Sequence, residues 1–324
     1  MHEDILDPSP STARHIFFGA DGLRAGWSLF LYAILLAAPL FVLKEIHRAH
    51  PAPKPPASHR ISPSEAYFSE TIEFTYIVFV TWIMSRIERR PNSVYGLGVR
   101  GRLPQFLAGL FWGVLSLSLL VATLWKLHLL IFDARLLSST MIFSNALIWL
   151  VGFLLVGLSE EYLMRGYLQF TLARGLTGIA AIFAPARSKA LGFWTSTLIL
   201  SFLFGFGHGS NQGESPIGLL SAGLAGLVFC LSLWRTGSLW WAIGFHCTWD
   251  WAQSFLYGVP DSGTLIEGRL FATHPVGEPL MSGGATGPEG SLFVLPILAI
   301  VAIIIIATLP TRRHNDAASD QALP

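Results

Sequence analysis

The feature that most limits how this chain can fold is its series of long apolar runs. About 20 such residues in a helix cross the hydrocarbon core of a bilayer. Eight runs are of that kind: residues 25–44, 71–87, 104–127, 141–172, 191–208, 215–234, 238–257 and 291–310. They are too long and too uniformly apolar for barrel strands, and helices satisfy their backbone hydrogen bonds internally. The sequence therefore predicts an all-α, polytopic membrane bundle of about eight transmembrane helices.

Composition and charge placement agree with this fold class. Only 13% of the 324 residues are charged, against roughly 25% in soluble domains. With Arg165 set aside, 13 of the other 20 Lys and Arg residues fall on one side of the predicted membrane. Cytoplasmic loops carry such an excess, so both termini are predicted to be cytoplasmic. The formal net charge of +1 gives no indication of nucleic-acid binding.

The predicted helices divide the chain into three parts. Residues 1–140 hold the first helices and loops, residues 141–257 hold a core with the polar residues discussed below, and residues 258–324 hold an outer loop, the last helix and a cytoplasmic tail. The run 141–172 is too long for a single crossing. Its cytoplasmic end is therefore expected to leave the membrane as an amphipathic extension.

Ionisable side chains inside a membrane are costly and indicate functional sites by default. Three apolar runs contain them, each with two residues at positions i and i+4, which share one face of a helix. The pairs are Glu161 and Arg165, Phe204 and His208, and His246 and Asp250, with Glu160 beside the first pair. Three helices can thus each direct a polar face to one interior point.

The two adjacent glutamates are expected to have different roles. Glu161 precedes Arg165 by one turn, in the order that favours an ion pair, so it is predicted to be held in that pair. Glu160 points about 100° away around the helix and is the freer carboxylate. A carboxylate in a dry pocket is a good proton acceptor, which suits a general base. His208 and His246 can donate or accept hydrogen bonds beside it.

Structural interpretations of the same residues remain open. Glu161 and Arg165 could simply hold two helical turns together. His246 and Asp250 could likewise be a structural hydrogen-bonded pair. Two histidines together with an acidic doublet are harder to explain in this way than any one of these residues alone.

In order along the chain, these residues resemble the motifs of a known family. Glu160-Glu161-x-x-x-Arg165, Phe204-x-x-x-His208 and His246-x-x-x-Asp250 are similar to the three motifs of the CPBP family. This family contains the CAAX prenyl proteases and bacteriocin-processing enzymes, and it is also called the Abi family of intramembrane glutamic endopeptidases. The stretch LSLWRTGSLWWAIGFHCTWDW also resembles the family's third-motif region. The resemblance covers about residues 147–251, a third of the chain.

The resemblance implies a water-activating peptidase in a bacterial cytoplasmic membrane. By matching position, Glu160 would be the base, assisted by His208, while His246 and Asp250 would polarise the scissile carbonyl. The supporting residues would be Glu161, Arg165 and Phe204. The partners would be membrane lipid and a hydrophobic, lipidated or membrane-associated peptide substrate, and no cofactor would be required.

Asp250 departs from the prenyl proteases, which carry Asn at this position. An ionised carboxylate cannot donate a hydrogen bond to an oxyanion. Asp250 is therefore either protonated or it orients His246, which then donates alone. We adopt the second alternative as our hypothesis.

Two other functions are open from the residues alone. His208, His246 and a glutamate could bind Zn²⁺ with one open position, although the chain has no His-Glu-x-x-His helix. The polar cluster could instead belong to a scaffold, an immunity protein or a transporter, and Glu160 would then not act as a hydrolytic base. Depths counted along the helices agree only loosely, but they are compatible with Glu160 and both histidines sharing one cavity, which is expected to open toward the cytoplasm.

Overall fold

The computed structural model describes residues 16–19, 22–50, 60–98, 102–211 and 213–311. The predicted cytoplasmic ends, residues 1–15 and 312–324, lie outside this range. Within it the helices are α1 (Ala25–Ala49), α2 (Pro63–Glu88), α3 (Leu103–Lys126), α4 (Ser139–Glu161), α5 (Gln169–Phe183), α6 (Ser188–Gly207), α7 (Pro216–Thr236), α8 (Trp240–Trp251), α9 (Pro279–Ser282) and α10 (Val294–Thr308). Short 3₁₀ turns cover Asn92–Tyr95, Pro185–Arg187, His208–Ser210 and Pro288–Gly290. The predicted all-α fold class is confirmed.

Several of these helices can cross a membrane. In the described part of the chain, five helical stretches are long and apolar enough: Ala25–Ile46, Leu103–Lys126, Ser139–Phe183, Pro185–Ser210 and Pro216–Thr236. The predicted run at 71–87 lies on α2, the run at 238–257 on α8, and the run at 291–310 on α10, which is apolar but shorter. The chain is a multi-pass integral membrane protein.

The overlong predicted run belongs to one continuous helical stretch, Ser139–Phe183. Helices α4 and α5 are joined through a π-helical turn, Tyr162–Leu168. At about 1.5 Å per residue the whole stretch is much longer than the roughly 30 Å hydrocarbon core. Part of it must therefore lie outside the membrane, as the sequence predicted for its end.

Helix α8 is the central helix of the bundle. Nearly all of its side chains are buried, including Trp241, Phe245 and Trp249. It packs closely on α3, where a Cβ placed at Gly113 would overlap the carbonyl of Phe245. A helix enclosed by other helices can be shorter than a lipid-exposed span, since its neighbours supply the apolar surface that faces the lipid.

Two small antiparallel ladders accompany the helices, which the sequence did not predict. Strand β1 (Phe18–Gly19) pairs with β2 (Gly22–Leu23) before α1. Strand β3 (Leu130–Arg135) pairs with β4 (Phe271–Pro275), with Leu130 opposite Pro275 and Arg135 opposite Phe271. The second ladder joins the α3–α4 connection to the long segment between α8 and α10.

We call residues 257–293 the cap. The indole of Trp149 on α4 donates to the carbonyl of Glu267 at 2.9 Å. The hydroxyl of Thr286 donates to the carbonyl of Gly213, in the α6–α7 turn, at 3.0 Å. The cap therefore covers the end of the bundle where α6 ends and α7 begins, opposite the α5–α6 turn.

Candidate active site

All four residues that the sequence singled out for catalysis line one cavity. Its volume is about 210 Å³, and Glu160, His208, His246 and Asp250 are part of its wall together with Phe204. They come from the end of α4, the 3₁₀ turn after α6 and the second half of α8. Residues as far as 90 positions apart along the chain, Glu160 and Asp250, therefore line one cavity.

Glu161 lies at the centre of a buried ionic network beside this cavity. Arg165 donates through Nη1 to Glu161 Oε1 at 2.9 Å, and His246 Nδ1 lies 3.1 Å from the same oxygen. Glu161 is fully buried and Arg165 is 4% exposed. The Arg165 guanidinium also lies over the Phe204 ring, 4.2 Å from its centroid. The link from Glu161 to His246 joins α4 to α8 and was not predicted.

Glu160 has a different environment from its neighbour. Its side chain is 31% exposed, and its Oε2 lies 3.8 Å from His246 Nε2. That oxygen is itself buried, yet it accepts no hydrogen bond from any residue within the described ranges. Of the two glutamates, Glu160 is the one with a carboxylate oxygen available in the cavity.

His246 is surrounded by carboxylates. Its Nε2 lies 3.4 Å from Asp250 Oδ2, in addition to its contacts with Glu160 and Glu161. The Phe229 ring packs against the imidazole with centroids 5.6 Å apart. The ring is held in place by Glu161 on the Nδ1 side, which leaves Nε2 directed to Asp250 and Glu160.

His208 begins the 3₁₀ turn that follows α6, rather than lying inside the helix. Its Nδ1 is 2.8 Å from the carbonyl of Phe204, and the two rings meet edge to face at 4.7 Å. A carbonyl only accepts hydrogen bonds, so Nδ1 carries the proton in this contact and Nε2 is left as an acceptor. The described residues show no direct hydrogen bond between His208 and Glu160, although both side chains line the cavity.

Both helices that carry the acidic residues change to a π-helical turn just after them. The turn Tyr162–Leu168 follows Glu161, and the turn Ala252–Leu256 follows Trp251. Single π turns inside α-helices are frequent at functional sites. A π turn has a different rotation per residue from an α-helix. The residues that follow each turn therefore lie on a different face of the helix from the one that α-helical spacing predicts.

The cap contributes residues that the sequence did not single out. Asp261, Ser262 and Glu289 also line the cavity. Burial raises the pKa of the Asp261 carboxyl well above its usual value, and the charges of Asp250 and Glu289 raise it further. Burial likewise raises the pKa of Glu289. Asp261 lies in an irregular loop and Glu289 in the short 3₁₀ turn Pro288–Gly290, where no periodic pattern could have indicated them.

The opening of the cavity toward the cytoplasm stays a prediction, and the structure adds which loops line the cavity. Asn211 and Gly218 at the α6–α7 turn line the cavity together with Asp261 and Glu289 of the cap. Arg187 and other residues of the predicted cytoplasmic side lie at the opposite end of the bundle. Counting along helices gave similar depths for the site residues, but it could not show that a loop closes over them.

Metal ligation was the second hypothesis for the two histidines. Within the described ranges, no group of three or more His, Cys, Asp and Glu side chains is arranged to hold a metal ion. Zinc bound stoichiometrically to the purified protein and lost on substitution of His208 and His246 would support the zinc alternative.

The geometry can be compared with known families. Residues 142–252 match the family model described as type II CAAX prenyl endopeptidase Rce1-like. The chain contains an Rce1-like domain. This match covers every motif residue from Glu160 to Asp250 and confirms the resemblance to the CPBP and CAAX protease family. The Rce1-like domain indicates a membrane endopeptidase, and it ends before the cap. No curated protein and no solved structure gave a significant match.

Proposed function

We propose that this protein is an intramembrane endopeptidase in which Glu160 activates water to hydrolyse a peptide bond of a hydrophobic, lipidated or membrane-associated peptide. The shared cavity is the observation that carries this proposal. A carboxylate with an available oxygen and two imidazoles line it, and these are the groups that water-based hydrolysis requires. The Rce1-like domain supports the same class of reaction.

The first step is attack by water. Glu160 accepts a proton from a water molecule as the water oxygen bonds to the carbonyl carbon of the substrate. His208 positions this water through Nε2, since its Nδ1 is bound to the Phe204 carbonyl. The tetrahedral intermediate then breaks its carbon–nitrogen bond, and Glu160 returns the proton to the departing amine.

The oxyanion requires a hydrogen-bond donor while the intermediate exists. His246 supplies it through Nε2, the nitrogen that lies toward Glu160 and Asp250. Because Glu161 accepts from Nδ1, the ring donates at Nε2 as the doubly protonated imidazolium. Glu161 holds the ring from the Nδ1 side, and Asp250 orients it from the Nε2 side. Asp250 is in this scheme a positioning residue, and it does not itself donate to the oxyanion.

Replacing Glu160→Gln tests the base. The amide keeps the shape of the side chain but accepts no proton, so we expect kcat to fall by about 10²–10⁴-fold. The full chain is reconstituted in lipid nanodiscs with lipid-anchored peptides, and mass spectrometry measures the products. Glu278→Gln is the matched control because Glu278 is an exposed acid of the cap outside the cavity.

Unchanged cleavage by the Glu160→Gln protein would exclude this mechanism and favour a scaffold role for the cluster. The same reactions run with a strong chelator separate the zinc alternative, because loss of activity that added zinc restores would identify metal-dependent hydrolysis.

A further inference from the structure

The charges around the cavity are unbalanced. Four carboxyl groups line it, from Glu160, Asp250, Asp261 and Glu289, and the described residues of the lining include no Lys or Arg. Glu160 and Asp250 lie close to the His246 imidazole. Asp261 and Glu289 form no ion pair within 4.0 Å with any described residue. The His208 imidazole is close enough for its charge to act on Glu289, but no Lys or Arg of the described lining balances the acids of the cap side.

Neutral donors hold these two carboxyls in place. Ser254 Oγ donates to Asp261 Oδ2 at 3.1 Å. The Ser262 amide donates to Glu289 Oε1 at 2.6 Å, and the Ser262 hydroxyl lies 3.1 Å from the same oxygen. In each carboxyl these hydrogen bonds engage only one oxygen, Oδ2 of Asp261 and Oε1 of Glu289. Asp261 Oδ1 and Glu289 Oε2 make no hydrogen bond to the described residues, so one oxygen of each carboxyl remains available to a ligand.

Burying acids in this way opposes folding unless something compensates their charge. The pKa of Asp261 and that of Glu289 are both raised, mainly by burial. Two more acids, Glu70 and Glu73 on α2, are close enough to Glu160 for their charges to interact. A cation that entered the cavity would gain favourable interactions, whereas an anion would be repelled.

From this arrangement we infer that Asp261 and Glu289 form a subsite for a positively charged group of the peptide substrate. The chemistry is that of an ammonium or guanidinium, which can come from a Lys or Arg side chain or from an α-amino group. This inference rests on the proposed function and adds a specificity to it. A basic group of the substrate would lie on the cap side while the scissile bond lies at Glu160.

The experiment uses lipid-anchored peptides that differ at one position. Lys, norleucine or Glu is placed in turn at each position of an otherwise apolar, N-acetylated and C-amidated peptide, and a parallel set leaves the α-amine free. We expect kcat/KM for the best Lys peptide to exceed that of its norleucine counterpart by about tenfold or more. The Glu peptide should be the poorest. A higher kcat/KM for Lys than for norleucine among the acetylated peptides identifies a side chain as the cation. A higher kcat/KM for the free-amine peptides than for their acetylated counterparts identifies the α-amino group.

Three variants assign this preference to the cap. Asp261→Asn and Glu289→Gln are each expected to reduce the Lys-to-norleucine ratio several-fold, and together to bring it near one. Both substitutions retain an oxygen that can accept from Ser254 or Ser262, so the local structure is kept. Glu278→Gln removes an exposed acid of the same cap and should leave the ratio unchanged.

A binding measurement separates the subsite from catalysis. The Glu160→Gln protein in nanodiscs is titrated with the fluorescent Lys and norleucine peptides, and anisotropy measures their dissociation constants. Tighter binding of the Lys peptide that disappears on adding Asp261→Asn and Glu289→Gln supports the subsite even if no peptide is cleaved. Equal binding of both peptides, or a preference that survives both cap substitutions, would overturn it. Failure of cleavage alone would count only against the proposed function.

Discussion

On the helix side of the cavity Glu161 lies between Arg165 and His246, and each contact is 3.1 Å or shorter. On the cap side, Asp261 and Glu289 are held only by serine hydroxyls and a backbone amide. Both sides are acidic, and the cap acids are only partly buried. They differ in whether a cation of the protein balances the acid.

This difference separates two uses of a buried carboxylate. A carboxylate with a permanent cation orients its surroundings, and removing it leaves the cation exposed to a low dielectric. A carboxylate without one opposes folding in the absence of a ligand and is available to bind a charge. Substitutions on the two sides should therefore change stability in opposite directions.

The largest expected effect is on the helix side. Glu161→Gln leaves the Arg165 guanidinium, 4% exposed, without its charged partner. Loss of one member of a buried pair costs about 3–5 kcal/mol, so the free energy of unfolding should fall by that amount. Equilibrium unfolding of the purified protein in mild detergent, with increasing denaturant, measures it.

Glu160→Gln is the matched control for this prediction. The residues are adjacent, but Glu160 is partly exposed and its buried oxygen has no described hydrogen-bond partner. Its substitution should change stability by less than about 1 kcal/mol. Equal losses in the two variants would show that the ionic network does not distinguish the two glutamates.

Asp250 lies where the two sides of the cavity meet, and its substitution is expected to change kcat while having little effect on stability. Asp250→Asn keeps the side-chain shape but removes the charge beside His246 Nε2. If Asp250 orients the imidazole, kcat should fall by about 10²-fold with little change in KM or in thermal stability. Steady-state kinetics and thermal unfolding of the same preparations distinguish this from a folding defect. Retained kcat would mean that the carboxylate is dispensable.

The helix side of the site could be predicted from sequence because its residues recur at the i, i+4 spacing of one helix face. Glu161 and Arg165, or His246 and Asp250, are one turn apart in apolar runs, where ionisable residues are rare. The fold class followed from the lengths of the same runs. The spacing predicted the ion pair of Glu161 with Arg165, which the structure contains, whereas the role of Glu160 as a base stays a prediction.

The rest could not be predicted for physical reasons. The contact of His246 with Glu161 depends on how α4 and α8 pack, and neither residue indicates the other in sequence. The π turns after Glu161 and Trp251 depend on tertiary packing more than on local propensity. Asp261 lies in an irregular loop, and its place in the cavity depends on the β3–β4 ladder that holds the cap.

The smallest expected effect is a gain of stability on the cap side. Burial and the charges of Asp250, Glu289 and Glu160 raise the pKa of Asp261 above its value in the unfolded chain. The folded state then binds the proton more tightly, so the stability supplied by protonation is present at low pH and is lost as pH rises through the folded-state pKa.

Asp261→Asn removes this loss, because the amide stays neutral at every pH and can still accept from Ser254. We expect a gain of about 1 kcal/mol in the free energy of unfolding at pH 8, falling to near zero below about pH 3, where Asp is protonated in both states. Asp250 and Glu289 continue to titrate in both proteins, so only the difference between the two unfolding curves reports Asp261. Glu278→Gln should show no such difference. A loss of stability at pH 8 would mean that a cation of the protein already balances Asp261, and the contrast between the two sides of the cavity would no longer hold.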